Sequence, residues 1–168
     1  MGTFELKIKI MGTNSIGLDA EKSTALSNQL NGLLANFQLH YQNLRGFHWN
    51  IKGSNFFELH VKFEEYYTDA ALKVDEIAER VLTLGYTPLH TFTDYLAKSK
   101  IAEVRGEVPD RDAVAFVVDS LKTLLEIERE ILESAGDAGD EGTVDLMTGF
   151  ISQQEKESWM LRSWLNNH

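Results

Sequence analysis

The stretch His48-Trp49-Asn50-Ile51-Lys52-Gly53-Ser54-Asn55-Phe56-Phe57-Glu58-Leu59-His60, followed by a run without proline as far as Gly85, decides how the rest of the chain is read. Gly53 and Ser54 interrupt a helical pattern that continues on both sides of them, so the stretch is a corner between two helices with a histidine near each arm. Upstream, Leu26, Leu30, Leu33, Phe37, Tyr41 and Leu44 recur at three- and four-residue steps, which predicts an amphipathic helix over residues 20–47. Downstream, the spacing predicts a second helix over residues 55–84, with Gly85 placed to cap its C-terminus.

The remaining chain repeats the pattern. Val114, Val118, Leu121, Leu125 and Ile131 predict a third helix over residues 111–134, and Met147, Phe150, Ile151, Leu161 and Leu165 a fourth over 143–165. The only two prolines, Pro88 and Pro109, bracket a connection in which Phe92, Tyr95 and Leu96 suit a short helix lying across the others. The expected fold is all-α: a four-helix bundle with a short extra helix in the connection between the second and third helices. Residues 1–18, with alternating Phe4, Leu6, Ile8 and Ile10 before a glycine-containing run, read as an extended N-terminal tail, and residues 19–168 as one domain. At 168 residues and 43% hydrophobic content, that domain can fill its core without covalent staples.

There is no cysteine, so any metal must be held by nitrogen and oxygen ligands. No apolar run reaches the roughly 20 residues of a membrane helix, and no secretory leader is visible; the expectation is a soluble cytoplasmic protein. A net charge of −10 opposes a sequence-independent grip on DNA phosphates and suits a protein that attracts cations.

Plotted at about 100° per residue, the second helix has three faces. Leu59, Phe63, Tyr66, Ala70, Val74, Ile77, Val81 and Leu84 form a core stripe, while Glu58, Lys62, Glu65, Asp69, Glu76 and Arg80 form a charged face expected in solvent. The third face carries His60, Glu64, Asp75 and Glu79 among Phe57, Val61, Ala71, Ala78 and Leu82, a composition that suits a subunit interface. A helix rises about 1.5 Å per residue, so the His60/Glu64 pair lies roughly 22 Å from the Asp75/Glu79 pair. One chain cannot bring both to one metal. Two copies of the helix packed antiparallel about a two-fold axis near residues 69 and 70 can, and His48 adds a second imidazole from the first helix. Two histidines and three carboxylates make a set able to hold two iron ions.

His48-Trp49-Asn50, Gly53, Asn55-Phe56-Phe57, Leu59-His60, Asp75-Glu76, Ala78-Glu79-Arg80 and Gly85 together resemble the signature of the Dps family, the mini-ferritins named as DNA-binding proteins from starved cells. The resemblance runs from the first helix through the segment after Gly85 and resumes at residues 143–147. It implies a ferritin-like bundle assembled as a hollow homo-dodecamer built on two-fold dimers. It also implies oxidation of Fe(II) by hydrogen peroxide or oxygen at sites with two iron ions between subunits, and storage of ferric mineral that protects against oxidative stress. Carried onto this chain, the ferroxidase ligands are His48, His60 and Glu64 of one subunit with Asp75 and Glu79 of the other; relatives usually have aspartate where Glu64 stands. Trp49 corresponds to a tryptophan thought to supply an electron or trap a radical near the metals, with simple packing as the alternative. Asp137, Asp140, Glu141 and Asp145 fall where the family places an acidic pore, and charge complementing the N-terminus of the fourth helix is the other reading.

His40 lies about 12 Å from His48 along the helix and is left out of the site. His90 and His168 read as loop and tail histidines. Family members that coat DNA do so through lysine-rich tails, whereas here Lys7, Lys9 and Lys22 are matched by Glu5, Asp19 and Glu21, so DNA binding is not expected. The alternatives are a shell that binds divalent metal without redox turnover, and a DNA-compacting protein.

Overall fold

Helices patterned on one side need a shared interior, and in the computed structural model, which describes residues 12–166, four long helices supply it. The elements are α1 (Ala20–Asn50), α2 (Phe56–Thr83), α3 (Phe92–Lys98), α4 (Asp110–Ala138) and α5 (Glu141–Asn166). α1 packs against α2, α3 and α4, and α4 packs against α5. Leu30, Phe37, Phe63, Ile77, Leu124, Ile131 and Met147 are fully buried in the common core. The expected four-helix bundle with a short helix in the long connection is the fold found.

The caps are those the sequence offers. The Asp19 side chain accepts from the Lys22 amide at 2.8 Å and starts α1. α2 stops at Gly85, whose φ of +94° lets the Tyr86 amide reach the Val81 carbonyl (3.1 Å) and its own amide the Leu82 carbonyl (2.9 Å). α1 and α4 run three and four residues beyond the predicted ends, to Asn50 and Ala138.

The long connection is held by asparagines of α1. Asn31 Oδ1 accepts from the Leu89 amide at 2.8 Å, Asn36 Oδ1 from Lys100 at 2.9 Å and Ile101 at 3.1 Å, and Asn43 Oδ1 from Val104 at 2.9 Å. Asn43 Nδ2 also donates to the Ala102 carbonyl at 2.9 Å. A segment with no ladder of its own must find partners for its amides, and these side chains provide them.

Three expectations change. The tail boundary moves, because residues 12–18 form a closed loop on the bundle: Asn14 Oδ1 accepts from the Ile16 and Leu18 amides, and Asn14 Nδ2 donates to Ser23 Oγ and the Leu84 carbonyl. Phe4 to Ile10, with Glu5, Lys7 and Lys9, and His168 lie outside the described residues. Arg80 is not a solvated surface charge; its guanidinium bonds Asp140 at 2.5 Å and Thr143 Oγ1 at 2.9 Å, tying α2 to the start of α5. Asp69 of the same face is half-buried and paired with Lys73, which is 3% exposed.

Burial also sets protonation inside the bundle. His40 is pushed down to about 4 by loss of water and by the nearby Lys73 ammonium, so it is neutral at physiological pH. Glu128 is raised to about 7 by burial, against the opposing hydrogen bond from Gln154.

Replacing Asn36→Ala leaves the Lys100 and Ile101 amides without their partner and should cost about 1–3 kcal/mol in chemical denaturation. Hydrogen exchange at those two amides should accelerate while exchange in the core of α4 follows only the global change; uniform acceleration across the chain would contradict this role.

Candidate metal centre

α1 ends and α2 begins at the same end of the bundle, and the corner at Gly53, with φ of +101°, sets His48 beside His60. The two rings stack with centroids 3.8 Å apart and planes 17° from parallel. Nδ1 of His48 lies 2.7 Å from the His60 carbonyl oxygen, and Nδ1 of His60 lies 2.8 Å from the His48 carbonyl oxygen. A carbonyl can only accept, so each Nδ1 carries a proton and donates it. The nitrogen left to bind a metal on each ring is therefore Nε2. Ring N–H bonds to backbone carbonyls of this kind fix the tautomer and orientation of metal-binding histidines. Phe56 stacks on His60 (5.0 Å, 19°) and Tyr67 sets its edge on His48 (5.3 Å, 76°), which further restricts both rings.

Glu64, one turn along α2 from His60, is exposed, as are Asp75 and Glu79 on the same face farther along. Their carboxylates take no hydrogen bond or ion pair from any described residue of the chain. Within one chain and among the described residues, no three His, Asp or Glu side chains converge as a metal site requires. The chain thus brings His48 and His60 together with Glu64 close by, and leaves Asp75 and Glu79 apart, as the helix rise demands. Around them α2 exposes Phe57 (83%), Val61, Leu72 (63%) and Leu82.

Trp49 is not packed in the core. It is 57% exposed, with the Arg45 guanidinium 4.7 Å from its ring centre and 5.2 Å from that of Tyr41. His40 is buried in the bundle, as its omission from the site requires, and exposed His90 faces only the Pro88 carbonyl at 3.2 Å. Of the acidic group near α5, Asp137, Glu141 and Asp145 are exposed. Asp140 is a correction: it is 2% exposed, and its carboxylate caps α5 through the Thr143 amide (3.0 Å) and hydroxyl (2.6 Å) while pairing with Arg80. A buried, fully paired carboxylate cannot line a pore.

Sequence reasoning gave no access to the two carbonyl partners of the histidines, because a backbone acceptor leaves no mark on residue identity. Lys73 did leave one: on the helical wheel it stands roughly 20° from the edge of the apolar stripe, closer to the core than any residue of the charged face, whereas Arg80 shares its angle with Lys62 and is not distinguished by it.

Residues 27–168 match the Ferritin family, ferritin-like domain. The chain is 47% identical over 148 residues to the DNA protection during starvation protein of Porphyromonas gingivalis, covering 88% of this chain and 93% of that one. It is 41% identical to DNA protection during starvation protein 2 of Bacillus anthracis, covering 82% and 94%. Its fold superposes on the crystal structure of the DPS protein from Vibrio cholerae O1, described as a member of a broad superfamily of ferritin-like diiron-carboxylate proteins, with TM-score 0.91, 52% identity, and 93% and 98% coverage. The chain belongs to the Dps family of ferritin-like proteins. Membership in the Dps family implies iron binding and supports a role in iron storage or DNA protection in general. Among the described residues no helix is long and apolar enough to cross a membrane.

Nitrogen-15 spectra of histidine-labelled protein at neutral pH should show His48 and His60 as the Nδ1–H tautomer, with ring protons that exchange slowly. An Nε2–H signal for either residue would contradict the reciprocal carbonyl bonds.

Proposed function

We propose that this Dps-family chain is a ferroxidase and iron-storage mini-ferritin whose active site is completed only when two copies meet. His48, His60 and Glu64 of one subunit face Asp75 and Glu79 of the other across antiparallel α2 helices, and the paired set takes two ferrous ions as substrate. The observation that carries this reading is the pair of imidazoles locked by each other's carbonyls, with both Nε2 atoms uncommitted and three unpaired carboxylates on the same helix face. The exposed Phe57, Val61, Leu72 and Leu82 on that face are apolar groups that a monomer gains nothing by exposing and a second copy can cover.

The chemistry follows from the ligands. Two ferrous ions give up one electron each to one hydrogen peroxide, its O–O bond breaks, and hydrolysis to ferric oxyhydroxide releases protons. The carboxylates offset the added positive charge of ferric iron, and neutral imidazoles keep the site from being so anionic that product is trapped. Oxygen is the other candidate oxidant. Glu64 reaches one methylene farther than the aspartate usual in the family and tunes the second iron position. We assign Trp49, exposed and under the Arg45 guanidinium, the role of electron donor or radical trap near the metals, with simple packing as the other reading.

Assembly into a dodecamer encloses the mineral, and Asp137, Glu141 and Asp145 form an acidic approach that raises the local concentration of ferrous ions. With Asp140 engaged by Arg80, that approach uses three carboxylates of the original four. The net charge of −10 favours protection by removing iron and oxidant over coating DNA.

Protein mixed anaerobically with ferrous salt and then given peroxide or oxygen should develop ferric-oxo absorbance far faster than buffer. His60→Ala should slow this by about 10- to 100-fold or more with assembly intact. Absence of any acceleration would leave a divalent-metal shell without redox turnover.

A further inference from the structure

Glu128 of α4 is wholly buried, and Gln154 Nε2 of α5, also buried, donates to its Oε1 at 2.5 Å. That bond leaves one oxygen on each side chain, Glu128 Oε2 and Gln154 Oε1, fully buried and without a hydrogen-bond partner among the described residues. Two acceptors cannot satisfy each other, and a buried acceptor without a donor is costly. The two orphans sit on side chains already joined, one a carboxyl and one a primary amide. A neutral carboxyl and an amide can pair through two bonds at once, amide N–H to acid C=O and acid O–H to amide C=O. A single proton on Glu128 Oε2 would therefore serve both orphan oxygens.

The surrounding groups do not supply that donor. Lys73 of α2 bonds the Asp69 carboxylate and Gln153 Oε1 (2.9 Å), and Arg129 of α4 bonds Glu155 (2.5 Å). Both cations favour an ionised Glu128 from a distance, Glu157 of α5 opposes it, and loss of water outweighs the rest in favour of the neutral acid. His40 of α1 and Tyr66 of α2 line a cavity of about 10 Å³ with Gln154, and burial keeps both uncharged at physiological pH. Glu128 does not line that cavity, so a water held there would serve the amide and leave Glu128 Oε2 as it is.

We propose that Glu128 holds a proton on Oε2 in the folded chain and donates it to Gln154 Oε1, closing a reciprocal acid–amide ring that latches α4 to α5. The latch is sensitive to pH. Below an ordinary glutamate's 4.5 the carboxyl is neutral in folded and unfolded chains alike, and between 4.5 and about 7 only the folded chain keeps the proton. Its contribution to stability is thus present in acid, falls as pH rises through that window, and is lost above it. None of this depends on whether the interface oxidises iron.

Infrared spectra of the iron-free, full-length protein test the proton directly. At pH 6 the wild type minus Glu128→Gln difference should show the C=O stretch of one protonated carboxyl per chain, and the band should vanish by pH 8.5. Gln154→Met, which removes both amide partners, should move that band to higher frequency, toward a carboxyl free of hydrogen bonds. In denaturant, Glu128→Gln keeps a donor toward Gln154 at every pH. The ratio of wild-type to Glu128→Gln unfolding constants should therefore rise about tenfold per pH unit between pH 5 and 7 and level off above. No carboxyl band at pH 6, a band that survives Glu128→Gln, or a band unmoved by Gln154→Met would each overturn the proposal, and so would a flat stability ratio. If Glu128→Gln does not fold, the wild-type and Gln154→Met spectra decide alone.

Discussion

Two hydrogen bonds, each from an imidazole Nδ1 to the other histidine's carbonyl, join the last turn of α1 to the first turns of α2. Each contributes about 0.5–1.5 kcal/mol to stability, a modest share of the fold. Their larger effect is geometric. They close the Gly53 corner, set the angle at which α2 leaves α1, and remove Nδ1 of both rings from competition for metal. Because α2 is fixed at this end, its Glu64, Asp75 and Glu79 face is fixed along its length, and with it the register that the proposed pairing of two copies uses.

The bundle was legible because its information is periodic. Leu26 through Leu44 and Leu59 through Leu84 repeat at helical spacing, and Gly85 marks an end that no other residue type would take as easily at positive φ. The mixed face of α2, now seen to be exposed at Glu64, Asp75 and Glu79, was legible for the same reason, since metal-competent side chains interleaved with Phe57, Val61 and Leu82 conflict with both core and solvent. What stayed hidden depends on contacts between elements. Nothing in Asn36 or Asn43 announces that they serve amides of the connection near residue 100, and nothing near Asp140 distinguishes a pore carboxylate from one paired with Arg80 sixty residues earlier in the chain.

Charge is distributed with a division of labour that explains both outcomes. Inside, Lys73 and Arg80 neutralise Asp69 and Asp140, so those carboxylates serve the fold. Outside, Glu64, Asp75, Glu79, Asp137, Glu141 and Asp145 carry unspent negative charge, and it is these that give a chain of net charge −10 its attraction for cations. The exposed acids on α2 share their face with exposed apolar groups, so in the proposed centre metal binding and subunit pairing use the same surface.

The proposed centre takes ligands from two chains, and subunit exchange tests this most directly. His48→Ala and Glu79→Ala proteins, each inactive alone, are dissociated, mixed in equal amounts and reassembled. Random pairing places half the chains in mixed dimers, each with one intact and one doubly broken site, so about a quarter of the wild-type ferroxidase sites should return. Reassembly to full size with no recovery of iron oxidation would contradict a shared site.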